Sequence, residues 1–128
     1  MISCKLCGGL GNQLFQIYNV ISLAIANNRS FYFNNITNDT RMLYFDTIFS
    51  KIKNITINPT TIQLKKYKIL KENGFHFTPF TNLEDNIVID NSYVQSEKYF
   101  VKNYYKINKI IGIDDKIDEI NKKYYSQF

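Results

Sequence analysis

The chain has 128 residues, of which 45% are hydrophobic and 21% charged, enough for one domain with its own core and too apolar for a disordered tail. Ten Phe and ten Tyr stand in for the missing Trp as large core-filling side chains. The net charge of +5 is concentrated between residues 51 and 73, where six Lys meet one Glu; such a stretch reads first as a solvated face and only second as a nucleic-acid or membrane surface.

Residues 2–7 read as a strand ending at Gly8-Gly9. From Asn12 to about Asn28, apolar residues at 14, 17, 18, 21, 24 and 25 keep helical spacing, and Phe15, Val20 and Leu23 widen the stripe until most of the helix is buried. "RSFYF" follows as a second strand, completing a βαβ unit of the usual right-handed kind. "MLYFDTIFSKI" has the pattern of a short helix, and "NITINPTTIQL" is ambiguous up to the break at Pro59. "NIVIDNSYVQ" alternates as a buried strand, Ser96 is placed to cap a helix through "EKYFVKNYYK", and Asp114 to cap a last one. On that last helix Ile113, Ile117, Ile120 and Tyr124 share a face, while Asp118 with Lys122 and Glu119 with Lys123 form i,i+4 pairs. No repeat or linker interrupts the chain, so residues 1–128 form a single α/β domain.

The longest apolar run, within 14–26, is broken by Gln16, Asn19 and Ser22 and is too short to span a bilayer; the N-terminus lacks a secretory pattern. The chain as given is therefore expected in the cytoplasm, and the sequons at Asn28, Asn35, Asn38 and Asn54 reflect asparagine richness. Cys4 and Cys7 form a C-x-x-C, but residues three apart on a strand face opposite ways. With His76 the sole histidine and no second cysteine pair, no metal site is expected. His76, between Phe75 and Phe77, reads as a packed residue.

Three of the five glycines lie in "GGLG", between a strand and a helix. Such a corner presents backbone N–H groups at the positive end of a helix dipole, a place that attracts phosphate, although a tight bend needs glycine as well. It matches neither the dinucleotide fingerprint, since Leu14 stands where a third small residue belongs, nor a Walker loop, since Gly-Lys-Ser/Thr is missing. Asn12-Gln13 at the helix mouth adds amides, which hold sugar or phosphate oxygens without adding charge.

"GGLGNQLFQ" resembles the N-terminal signature of the α-1,2-fucosyltransferases of glycosyltransferase family 11. "NGFHF" (73–77) and "IDNSYVQSEKYF" (89–100) are similar to further segments of that family in order and spacing, with Val94 where the family has tryptophan, and "LYFDTIF" (43–49) also resembles the family. The resemblance implies a Rossmann-like domain, the N-terminal half of a two-domain GT-B-type enzyme. It implies transfer of L-fucose from GDP-fucose to the 2-hydroxyl of a terminal galactose, with inversion and without metal or other cofactor. By the same resemblance Asn12 is the catalytic residue, beside the diphosphate or reacting centre. Gly9, Leu10 and Gly11 give close backbone approach, Gln13 orients Asn12, and Gly8, Gln95, Ser96, Glu97 and Lys98 belong with them to the donor and acceptor cleft. Its partners are the sugar nucleotide and a galactose-terminated glycan; the family also admits membrane association.

The family's His-x-Arg-x-Gly-Asp signature is absent, and the arginines, Arg29 and Arg41, lie in no such context. The chain then corresponds to the N-terminal half, weakly active or inactive until a companion chain completes the cleft, or a homodimer forms through the exposed domain face. The other class of function is a basic nucleic-acid-binding or protein-interaction module, for which "KNYYKINK" and "KKYYSQF" interleave Lys and Tyr; no nucleic-acid partner is expected, because the same pairs fit ordinary helix faces.

Overall fold

The computed structural model describes residues 1–35, 41–57, 67–72, 77, 79–81, 83, 86–90 and 93–125. Most of "NGFHF" with His76, the stretch 58–66 with Pro59, and Asn38 lie outside them.

The core is a three-stranded parallel sheet in the order β1 (Ile2–Cys4), β5 (Ile87–Ile89), β4 (Lys68–Leu70). All three strands are in step, Ile2 and Lys68 both opposite Ile87, and Cys4 and Leu70 both opposite Ile89. Ile87, Val88 and Ile89 are all buried, the continuous apolar run of a strand covered on both faces. β4 closes one edge with exposed Lys68 and Ile69, and a lysine at an edge discourages pairing with another chain.

The expected helix is α1 (Leu10–Ala26), which returns the chain so that Phe31 bridges Ile2 in parallel on the side of β1 away from β5. The next residues form β2 (Phe33–Asn34), paired in parallel with β3 (Thr56–Ile57) in a small second sheet. Of the expected βαβ unit, the strand and helix form, but the returning chain meets β1 only through the single Phe31 bridge and its strand pairs in the separate sheet; the molecule is an α/β structure with parallel sheets.

Three expectations differ in detail. The first strand ends at Cys4 because the chain turns off the sheet after Lys5 donates to the Ile89 carbonyl (2.9 Å). "MLYFDTIFSKI" forms turns and then a 3-10 helix at Ser50–Ile55, so that Phe45, Phe49 and Ile52 all reach the core. Ser96 does cap, its hydroxyl accepting from Lys98 N–H (3.3 Å), but the helix after it is a 3-10 turn at Glu97–Tyr99, a second at Val101–Asn103, and then α2 (Tyr104–Ile111). The broken start lets Tyr99 and Phe100 both turn inward, Phe100 against the rings of Phe15 and Tyr18.

α2 ends at Gly112, whose φ of 71° is the left-handed cap glycine tolerates best, while Lys51 Nζ donates to the Lys109 carbonyl at 2.7 Å. α3 (Ile113–Tyr125) follows, with Asp114 inside its first turn rather than at its cap.

α1 carries the structure's polar interior. Gln13, Gln16, Asn19 and Ser22 recur every three residues and are all buried, so the residues that break the apolar run belong to the buried surface of the helix. Gln16 binds Cys7 as a neighbouring strand would, accepting from its N–H (3.0 Å) and donating to its carbonyl (3.2 Å). Ser22 accepts from Asn103, and Tyr18 O–H donates to Asn108 Oδ1 at 2.6 Å. These bonds bind α1 to the start of α2, where a buried polar group without a partner would cost about 1–3 kcal/mol.

Cys4 and Cys7 are both thiols outside any disulfide, and the Cys7 Sγ accepts from Gln16 Nε2 (3.2 Å). Burial pushes the Cys4 thiol up, away from the reactive thiolate. Among the described residues no helix is long and apolar enough to cross a membrane, and no group of three His, Cys, Asp or Glu is placed to hold a metal ion.

Candidate functional site

Because the three strands run parallel and in step, everything that follows their carboxyl ends collects on one side of the sheet. The glycine corner follows β1, Gln95 follows β5, and Glu72 follows β4. The chain leaving β1 crosses to the Phe31 side while β5 lies on the other, and in open parallel sheets ligands bind outside the carboxyl ends where connections part in this way.

The corner is assembled from short-range constraints. Gly8 has a φ of 77°, a conformation an L side chain resists, and Asn12 occupies the space beside it: a β-carbon on Gly8 would lie 2.4 Å from Asn12 Nδ2 and 3.0 Å from its Cβ. Gly9 is the N-cap, with extended backbone and no side-chain cap, and its carbonyl accepts the first helical bond from Gln13 N–H (3.0 Å). The N–H groups of Leu10, Gly11 and Asn12 therefore stand at the helix mouth ahead of the intrahelical ladder. Neither Gly9 nor Gly11 is required by packing. A β-carbon on Gly11 would meet nothing within 4 Å, and one on Gly9 would meet only the Arg41 guanidinium, at 3.8 Å.

Asn12 is half-buried, and its Oδ1 accepts from Gln95 Nε2 at 2.6 Å, joining the β1 and β5 corners. The expected role of Gln13 in orienting Asn12 is taken by Gln95. Gln13, 1% exposed, instead donates from Nε2 to both the Gly8 carbonyl (3.0 Å) and the Met42 carbonyl (2.8 Å). It is the strut that holds residues 41–42 against the turn and so brings Arg41 beside Gly9.

Gln95 is delivered by Val94, which is buried and has a φ of 47°, a rare conformation for a β-branched residue. Glu72 helps to hold it there: its carboxylate accepts from Val94 N–H (3.4 Å) and from the Tyr99 hydroxyl. Backbone held in such a state tends to mark a site where geometry matters. Lys5 and Asp90, 3.3 Å apart, add an ion pair across the same ends of β1 and β5.

The sequence-designated residues thus fall into two groups. Gly8, Gly9, Leu10, Gly11, Asn12, Gln13 and Gln95 form one continuous corner. Ser96, Glu97 and Lys98 follow Gln95 on the 3-10 turn, where Ser96 is engaged as a cap, Glu97 is exposed, and Lys98 Nζ stands 6.0 Å from the Phe77 ring. Arg41 and Glu72 are the additions. Neither had a local signal, since contacts distant in sequence bring them to the corner, among them the hydrogen bonds of Gln13 to Met42 and of Val94 to Glu72.

The two arginines part company here. Arg29 donates to the Leu83 carbonyl and serves the fold, whereas Arg41 is exposed at the helix mouth. With aligned N–H groups, an amide pair and a guanidinium, the corner suits an oxyanion carrying neighbouring hydroxyls. Compared with known proteins, the chain matches no family model, no curated protein and no solved structure.

Proposed function

We propose that the corner binds a sugar nucleotide and that the chain is a fucosyltransferase component of the α-1,2 type, a Rossmann-like half of a GT-B-type enzyme. It moves L-fucose from GDP-fucose to the 2-hydroxyl of a terminal galactose, with inversion. One observation carries the proposal: Gly9 and Gly11 have room for a side chain yet carry none, at a helix mouth that no side chain caps. A space that folding leaves open at a dipole's positive end suits a ligand approaching the backbone closely.

In an inverting transfer the acceptor oxygen attacks the anomeric carbon as the diphosphate leaves from the opposite face. The first-turn N–H groups stabilise the departing charge, and Asn12, held by Gln95, binds a neighbouring oxygen. Arg41 supplies the planar fork suited to a diphosphate, a role the family's absent His-x-Arg-x-Gly-Asp would otherwise fill.

The test is thermal unfolding of the purified chain with GDP-fucose, GDP and UDP. At ten times its Kd a ligand adds about 1.4 kcal/mol, a rise of roughly 4–7 °C for a domain of this size. GDP-fucose is expected to raise the midpoint, UDP less, and Asn12→Ala and Arg41→Ala each to remove most of the rise measured against that variant's own unliganded midpoint. No rise at millimolar GDP-fucose means that the corner does not hold this donor.

A further inference from the structure

We infer that the outer face of α2 is a docking surface for single-stranded nucleic acid, a function that does not rest on the sugar-nucleotide reading. From Lys98 to Ile113 the chain carries four lysines and no carboxylate. Three of them, Lys102, Lys106 and Lys109, follow one another four and three residues apart with Tyr105 among them, and all of these side chains are exposed. Ile107, Asn108 and Ile111 are buried, so the helix is anchored to the core by one side while its lysines face out on the other. Among the described residues none of the three lysines forms an ion pair, and the next carboxylates, Asp114 and Asp115, belong to α3 beyond the turn at Gly112. Lys51 extends the row at its far end, where its Nζ donates to the Lys109 carbonyl. The complement of such a row is a polyanion.

The rings decide which polyanion fits. Sequence alone sets nucleic acid aside because "KNYYKINK" suits an ordinary helix face, and Tyr104 fits that description: its ring stacks at 6.4 Å on Phe100, whose other neighbours are Phe15 and Tyr18. Tyr105 does not. It is 81% exposed, yet its ring is held edge-on at 5.6 Å against Tyr104. A ring fixed in orientation, open to solvent and set among unpaired lysines is a stacking platform, on which a base lies while the backbone phosphates meet the ammonium groups. The bases of a duplex are already stacked on one another, so the occupant is a single strand. A membrane surface would need an apolar face free to enter the headgroup layer, and the apolar side of α2 is taken by the core, with Ile107 and Ile111 at 0% exposure.

Fluorescence anisotropy of labelled oligo(dT) and oligo(rU) with the whole chain at low salt is expected to show binding to both, and weaker binding to a duplex of the same length. Three phosphate contacts predict that log K falls with log salt at a slope of about −2. Lys102→Gln with Lys106→Gln and Lys109→Gln should weaken binding at least tenfold and flatten that slope. Tyr105→Ala should weaken it by roughly fivefold or more, and Tyr105→Phe should retain it. The circular dichroism spectrum of each variant should match that of the parent chain, since these side chains face solvent. No anisotropy change up to millimolar protein, equal affinity for the duplex, or binding indifferent to Tyr105→Ala would overturn the proposal. So would equal retention of the parent and of Tyr105→Ala on poly-glutamate or on phosphatidylserine vesicles with no oligonucleotide bound, which would assign the face to an acidic protein or a lipid surface.

Discussion

Gly8→Ala is expected to destabilise the fold by about 2 kcal/mol and, on the proposed function, to abolish nucleotide binding, whereas Gly11→Ala, three residues away, is expected to leave the fold intact or firmer. At Gly8 the left-handed backbone alone costs a side chain about 1–2 kcal/mol. The new methyl would also fall 2.4 Å from Asn12 Nδ2 and 3.0 Å from its Cβ, so the whole Asn12 side chain must leave, taking with it the 2.6 Å bond from Gln95. At Gly11 the methyl enters open space on a helix, where alanine is favoured over glycine by up to about 1 kcal/mol. Urea unfolding measures the first quantity and nucleotide-induced stabilisation the second. If the corner serves a ligand, Gly11→Ala separates them, with stability unchanged or raised and binding weakened at least tenfold. Should Gly11→Ala bind GDP-fucose as well as the parent chain, the glycines are there only for the bend.

A large loss of stability is expected between about pH 10 and pH 12, and Tyr18 contributes the best-defined part. Burial, with Tyr104 and Asp114 adding to it, pushes the Tyr18 hydroxyl from 10.0 up to about 12. In the unfolded chain this phenol ionises near pH 10, while in the fold it keeps its proton, donated to Asn108. Between those values the folded state holds more protons than the unfolded one, so the Tyr18 contribution is complete below about pH 10 and falls as pH rises. The loss from this group reaches about 2–3 kcal/mol by pH 12. Tyr32 and Cys4 are also raised by burial and act in the same direction. Tyr18→Phe should lower stability at pH 8 by about 1–3 kcal/mol, because Asn108 Oδ1 loses its buried donor, and should flatten the alkaline decline measured in urea. A decline just as steep in Tyr18→Phe would assign it to other groups.

These two sites differ in how far the sequence foretells them. The glycine corner is a local object: Gly8, Gly9, Gly11, Asn12 and Gln13 lie within six residues, and a strand, a bend and a helix in that order bring them together whatever the rest of the chain does. The long helix was legible for the same reason, since its apolar spacing spans 17 residues. Its burial was less so. Gln16 and Ser22 look like polar interruptions, and their burial depends on partners, Cys7 and Asn103, the latter 81 residues beyond Ser22. The shared face of α3 shows the opposite error: Ile117, Ile120 and Tyr124 carry a core-like spacing, yet the domain leaves them exposed.

By itself, then, the sequence determined an α/β domain, the strand–glycine–helix corner and the periodic faces of α1 and α3, because each follows from conformational preferences and spacing within a few turns of chain. Only the tertiary structure decided that β1, β5 and β4 lie parallel and in step, that Gln95 reaches Asn12 across 83 residues, and that Arg41 rather than Arg29 stands at the helix mouth. Those pairings depend on which surfaces bury best against one another, and that competition is settled by the whole chain at once.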